Sequence, residues 1–144
     1  MSIANAQSIA MNQRGNTELS TAKWQMWTGR VLSALSVLFL LFDAAGKFMM
    51  PAQVVQACER LGFPVHLSPT LGVLLTASIL LYAIPQTAVL GAVLLTGYLG
   101  GAVAIHMRAG STLFEMVFPA IFGILIWAGI YLRDARLRKV FPIR

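Results

Sequence analysis

Apolar residues fall along this chain in four long runs, Met26 to Met49, Leu67 to Ile84, Thr87 to Met107 and Leu113 to Leu132. Most polar residues lie in the leading segment, at the joints between runs and after the last run. A helix needs about 20 residues to cross a hydrocarbon core of roughly 30 Å, so each run predicts one membrane-spanning helix. Only Pro85 and Gln86 separate the second run from the third. An unbroken helix of about forty residues would overshoot any bilayer, so Pro85 is expected to mark the tight turn of a helical hairpin, with a single kinked span as the alternative.

The segment from Pro51 to His66 is the one joint long enough to hold structure of its own. Pro51 suits a first helical position, and Val54, Val55, Cys58 and Leu61 share one helical face while Gln53, Gln56, Glu59 and Arg60 fall elsewhere. Gly62 then ends the helix and Pro64 prevents its resumption. This predicts a short amphipathic helix lying at the membrane interface between spans 1 and 2, with an ordinary loop as the plainer alternative. Residues 1–23 are polar and weakly patterned and read as a disordered cytoplasmic tail, leaving 24–144 as the four-span membrane domain. The first apolar run begins too late for a cleavable signal peptide and is expected to stay as an anchor.

Composition sharpens this picture. The chain is 58% hydrophobic and 11% charged, whereas soluble domains run at about 45–50% apolar and about 25% charged. A water-facing surface cannot be built from so few charges, so the fold class expected is all-α, an integral membrane four-helix bundle. Cys58 is the only cysteine, which excludes an internal disulfide. The net charge of +6 would suggest nucleic acid in a soluble protein, but its placement argues for membrane orientation instead, and no nucleic-acid partner is expected. Arg14, Lys23 and Arg30 precede or open the first span, and Arg133, Arg136, Arg138, Lys139 and Arg144 follow the last, making eight of the eleven basic residues. Lys47, Arg60 and Arg108 fall to the opposite side. The positive-inside rule then puts both termini in the cytoplasm of a bacterium, with the spans in its inner membrane, and the cluster Arg133, Arg136, Arg138 and Lys139, on an extension of the last helix, against anionic lipid headgroups.

Ionisable residues inside spans are costly and tend to face a bundle interior or a watery cavity. Asp43 and Lys47 stand one helical turn apart in the favoured acid-first order. Mutual neutralisation is the plain reading. Depth points further: Asp43 lies about eight residues, roughly 12 Å, before the end of the first span. His106 and Arg108 end the third span and Glu115 opens the fourth, so all five converge on one side, with His66 at the same level. In the third span Ala92, Thr96, Gly100 and Ala104, with Gly97 and Gly101 beside them, form a small-residue face. Such a face either packs a neighbouring helix or leaves a slot for a flat ligand or lipid. The candidate binding residues are therefore Asp43, Lys47, Gly97, Tyr98, Gly101, His106, Arg108 and Glu115, in a polar pocket suited to proton transfer or to the polar head of an apolar molecule. Two histidines forty residues apart show no ligand spacing, and no metal is expected. Neither a Cys-x-x-Cys pair nor a nucleotide, hydrolase or metalloprotease motif occurs, so no catalytic residues are assigned.

Several segments resemble the DoxX-like family of small bacterial membrane proteins. They are Trp27-Thr28-Gly29-Arg30, Leu41-Phe42-Asp43 with Gly46-Lys47, Leu61-Gly62-Phe63-Pro64, the stretch from Leu81 to Gly91, the stretch from Leu94 to Ala104, and His106-Met107-Arg108. The resemblance runs from Trp27 to the C-terminus and implies a four-helix membrane protein. It also implies an association with membrane-linked oxidation, in some members quinone-coupled. Gln86 departs from the pattern, which more often carries a basic residue there. The function expected is an accessory subunit of a membrane redox system that holds a quinone-like or lipid molecule in the pocket, with membrane lipids, a second copy or a redox protein as partners. A small oligomeric transporter or channel for protons or a small solute, and a membrane scaffold, are the alternatives.

Overall fold

The structure is a computed structural model and describes residues 3–134 together with 137 and 138, within 3–22 chiefly as backbone. Among the described residues five α-helices are delimited: α1 (Ile3–Met49), α2 (Ala52–Arg60), α3 (Ser68–Ala83), α4 (Ala88–Arg108) and α5 (Leu113–Arg133), with a 3-10 turn at Val65–Leu67. Among the described residues four segments are long and apolar enough to cross a membrane: Lys23–Met49 within α1, Val65–Ala83, Ala88–Arg108 and Leu113–Arg133. The chain is a multi-pass membrane protein with an all-α four-helix bundle, and α2 is the short helix expected between spans 1 and 2.

Helix α1 packs on α3 and α5, and α4 packs on the same two, so α1 and α4 stand across the diagonal of the bundle. The outer surface is apolar: Leu35, Leu38, Phe42, Leu80 and Ile124 are exposed. In hydrocarbon that exposure carries no penalty, and helix association must come from close packing and polar contacts instead.

Those contacts gather at the end of the bundle that carries the α3–α4 turn. Tyr82 is fully buried. Its hydroxyl donates to the Ile126 carbonyl at 3.0 Å, and since it has a single proton, Ser33 Oγ donates to it at 2.9 Å. Arg133 donates to the Tyr82 carbonyl at 2.9 Å, with its guanidinium 4.7 Å from the ring centroid. Tyr82 thus links α1, α3 and α5. Glycines let the backbones approach this node. A Cβ on Gly129 would meet Ser33 Oγ at 2.5 Å, one on Gly29 would meet the Arg133 nitrogen at 2.8 Å, and one on Gly91 would run into the Tyr82 backbone. The turn itself is closed by Thr87 N–H to the Ile84 carbonyl at 3.1 Å, which places Pro85 second in a β-turn, where its fixed φ fits.

Two segments differ from the sequence expectation. Residues 3–23, read as an unstructured tail, continue α1 as helix. The segment is free of proline and includes four alanines and two glutamines, good helix formers, which is compatible with the continuation. At about 70 Å, the helix is more than twice as long as a hydrocarbon core of about 30 Å is thick, and the portion before Lys23 lies outside the apolar span. At the other terminus α5 stops at Arg133, and Asp134 is extended rather than helical. Of the basic cluster expected there, Arg133 and Arg138 are described, while Arg136 and Lys139 lie outside the described residues. Arg138 donates to Gln25 Oε1 at 3.0 Å, tying the segment back to α1.

The glycine contacts predict a graded mutational response. Gly91→Ala and Gly129→Ala should each lose about 1–3 kcal/mol through overpacking. Gly100→Ala, whose Cβ would meet nothing within 4 Å, should stay within about 0.5 kcal/mol of the parent. Thermal unfolding in detergent, followed by circular dichroism, measures the order.

Candidate functional site

The opposite end of the bundle is capped by α2. A tight connection feeds it: Met50 has a φ of 44°, and Pro51 in extended backbone is the N-cap residue rather than the first helical one. At its C-terminus Gly62 adopts φ 62°, Phe63 N–H bonds to the Cys58 carbonyl at 2.8 Å and Gly62 N–H to the Glu59 carbonyl at 3.0 Å. This is a Schellman motif, and a left-handed residue there is why glycine is required. No residue of α2 is fully buried, but Val54, Val55, Ala57 and Cys58 are half-buried and the polar positions are exposed, as the periodicity predicted.

Beneath α2, between α1, α3 and α4, lies a cavity of about 400–500 Å³ (≈ 480 Å³) with a mostly apolar wall. Asp43, Lys47, Gly97, Tyr98, Gly101 and His106 all line it, six of the eight residues proposed from the sequence. Asp43 and Lys47 form the expected ion pair, with Lys47 Nζ at 2.7 Å from both carboxylate oxygens. Tyr98 adds a contact that no helical spacing shows. Its hydroxyl reaches across the diagonal to donate to Asp43 Oδ2 at 3.2 Å, and Lys47 Nζ lies 5.8 Å from the centroid of its ring. The three groups make a closed polar cluster in which a carboxylate receives two donors, so a part-buried charge is compensated where it stands. His106 shares a hydrogen bond of 3.0 Å through Nδ1 with Ser111 Oγ. Ser111 is brought there by a second Schellman motif, with Gly110 at φ 65° and Ser111 N–H on the His106 carbonyl at 3.0 Å.

A Cβ on Gly97, Gly100 or Gly101 would meet nothing within 4 Å. Gly97 and Gly101 border the cavity and are not packed against a neighbouring helix.

Arg108 and Glu115 do not line the cavity. They sit at the expected depth but point to α2. Arg108 Nη2 donates to the carbonyls of Leu61 and Gly62 at 3.1 and 3.3 Å. Glu115 divides its carboxylate: Oε2 accepts from Thr112 N–H and Oγ1, both at 3.1 Å, in a capping box that starts α5, while Oε1 accepts from Arg60 at 2.6 Å. These two residues strap the C-terminal end of α2 to α4 and α5. His66 is exposed and outside the wall. The wall also includes Cys58, Arg60, Phe63 and Ser68, which the sequence reading had not placed in the pocket. The face shared by Val54, Cys58 and Leu61 was the available signal for the first of these.

The lone thiol makes the strap measurable. In Arg60→Gln, which breaks the tie to Glu115 and spares the capping box, alkylation of Cys58 by a membrane-impermeant maleimide should speed up on the order of two- to five-fold, the scale of one exposed ion pair. An unchanged rate would mean that this ion pair does not hold α2 down.

A sequence model of the DoxX-like family matches residues 31–129, more than half of the chain, and the chain belongs to that family. The matched stretch holds every residue of the cavity wall. No curated protein and no solved structure matches the chain.

Proposed function

We propose that this DoxX-like membrane protein holds an amphipathic molecule, quinone-like or lipid, in the cavity beneath α2, and does so as an accessory subunit of a membrane redox system. The observation that carries the reading is the composition of the cavity wall. Leu71, Leu74, Ala102, Ile105 and Phe63 offer an apolar surface, and the Asp43–Lys47–Tyr98 cluster and His106 stand on it as a small set of fixed polar groups. Ligand sites combine an apolar lining with a few convergent polar groups in this way. Lys47 has a third N–H beyond the two directed at Asp43 to offer a carbonyl or ester oxygen, and the Tyr98 oxygen, its proton on Asp43, can accept from a hydroxyl, while the bare Gly97 and Gly101 leave room for a flat ring or chain.

The depth of the polar groups favours binding over conduction, because the cavity's titratable residues all lie towards one end of the bundle. With the orientation expected from the basic residues, both termini are cytoplasmic and the cavity opens at the outer leaflet of the inner membrane. A redox partner or a second copy would meet the protein within the membrane.

The test is equilibrium binding of a short-chain benzoquinone, and separately of a fluorescent phospholipid, to purified protein. Asp43→Ala and His106→Ala should each weaken binding of one of the two probes about 5- to 100-fold, the effect of losing a buried polar contact. Gly97→Leu should abolish binding while the protein keeps its melting temperature, because the new side chain enters free space. Affinities unchanged in all three variants would remove the cavity as a binding site.

A further inference from the structure

A second polar cavity lies at the other end of the bundle, about 400 Å³ in volume, and we infer that it binds a phosphate group. It is separate from the cavity beneath α2 and does not depend on how that one is read. Its wall brings together Arg30 of α1, Arg133 and Asp134 at the end of α5, and Gln86 and Ala88 at the start of α4.

Three features make this wall a receptor for an anion. The first is the pair of guanidinium groups, from helices distant in sequence, on one cavity. Among the described residues neither is in an ion pair. Arg30 Cζ lies 5.8 Å from the centroid of the Trp27 ring, a cation–π contact that involves no hydrogen-bond acceptor. Arg133 commits one nitrogen to the Tyr82 carbonyl, which fixes the group in place and leaves its remaining donors.

The second is the start of α4. Thr87 is its N-cap residue, but the hydroxyl donates to the Leu81 carbonyl at 2.8 Å and gives the helix no side-chain cap. The first-turn amides of a 21-residue helix therefore keep their partial positive charge beside Ala88, which lines the cavity. The third is net charge. Asp134 stands on the same wall and lowers the field, yet two arginines and the helix start against one carboxylate leave it positive.

Phosphate is the anion this geometry fits. A planar guanidinium offers paired donors at the spacing of two phosphate oxygens, and two such groups from different helices can grip one tetrahedral centre. The cavity lies at the end of the spans beside Trp27, and such tryptophans mark the headgroup level of a bilayer, where phosphate esters are the abundant anion. The phosphate can belong to a phospholipid headgroup or to a free ion, and the same chemistry recognises both.

The experiment uses the full-length protein in a zwitterionic detergent. Melting temperature and native mass spectrometry are followed on adding phosphatidylglycerol, phosphatidylcholine or inorganic phosphate. Phosphatidylglycerol should raise the melting temperature and stay bound, and Arg30→Gln should weaken that binding roughly ten-fold or more. Arg30 makes no described contact besides Trp27, so the variant should fold as the parent does. Stabilisation by inorganic phosphate, lost in Arg30→Gln, would identify the free ion as the occupant; stabilisation by the lipid alone would identify the headgroup. Arg138→Gln, which alters a cation outside the wall, should leave binding unchanged. Equal binding in parent and Arg30→Gln, or an equal loss in Arg138→Gln, would overturn the inference in favour of diffuse surface attraction.

Discussion

Hydrocarbon offers a helix no reward for hiding its leucines, so this bundle depends on how closely its backbones can approach and on the few polar contacts they make on meeting. Tyr82 concentrates both. Its hydroxyl, carbonyl and ring engage Ile126, Ser33 and Arg133, and the glycines at 91 and 129 bring α4 and α5 to within side-chain-free distance of it. Every buried side-chain nitrogen and oxygen described has a partner, which in lipid is a condition for folding and not a refinement. With the helices pinned at this end, the cavity beneath α2 lies at the opposite one.

The two ends treat charge in opposite ways. Beneath α2, two bases are matched by acids within the protein, Lys47 by Asp43 and Arg60 by Glu115, while Arg108 is held by the Leu61 and Gly62 carbonyls. At the Tyr82 end, Arg30 and Arg133 lean on aromatic faces and a carbonyl, contacts that orient a cation without neutralising it. A bundle can carry unmatched cations only where anions are at hand, and headgroups supply them. Counting arginines and lysines, eight on one side against three on the other, does not reveal this contrast, because the distinction lies in what each side chain faces.

Much of the architecture was legible in the sequence because it follows from length and local rules. Span length gave the four helices, Pro85 gave the hairpin, the 3.6 period with Gly62 gave α2, and the spacing of four gave Asp43 and Lys47 as a pair. Depth along a helix was legible too, so His106, Arg108 and Glu115 were placed at the correct level. Direction around the helix was not. Arg108 and Glu115 turn to α2 rather than into the cavity, and Tyr98 reaches Asp43 across the diagonal, because those azimuths depend on which helices are neighbours. The glycines teach the same lesson. The conspicuous row at 97, 100 and 101 faces open space, whereas Gly29, Gly91 and Gly129, which stand in no row, make the closest contacts. Arg30 registered only as a marker of orientation and Arg133 as one of a headgroup-facing cluster, since nothing in their spacing shows that α1 and α5 bring them to one wall.

The two-residue joint at Pro85 and Gln86 has a mechanical consequence. With so short a link, and with the Gly91 backbone seated against that of Tyr82, α3 and α4 can neither slide nor roll past one another, and they behave as a stator. A widening of the cavity would then have to part α1 from this pair. Asp43 stands on α1 and Tyr98 on α4, so their single hydrogen bond would register such a parting.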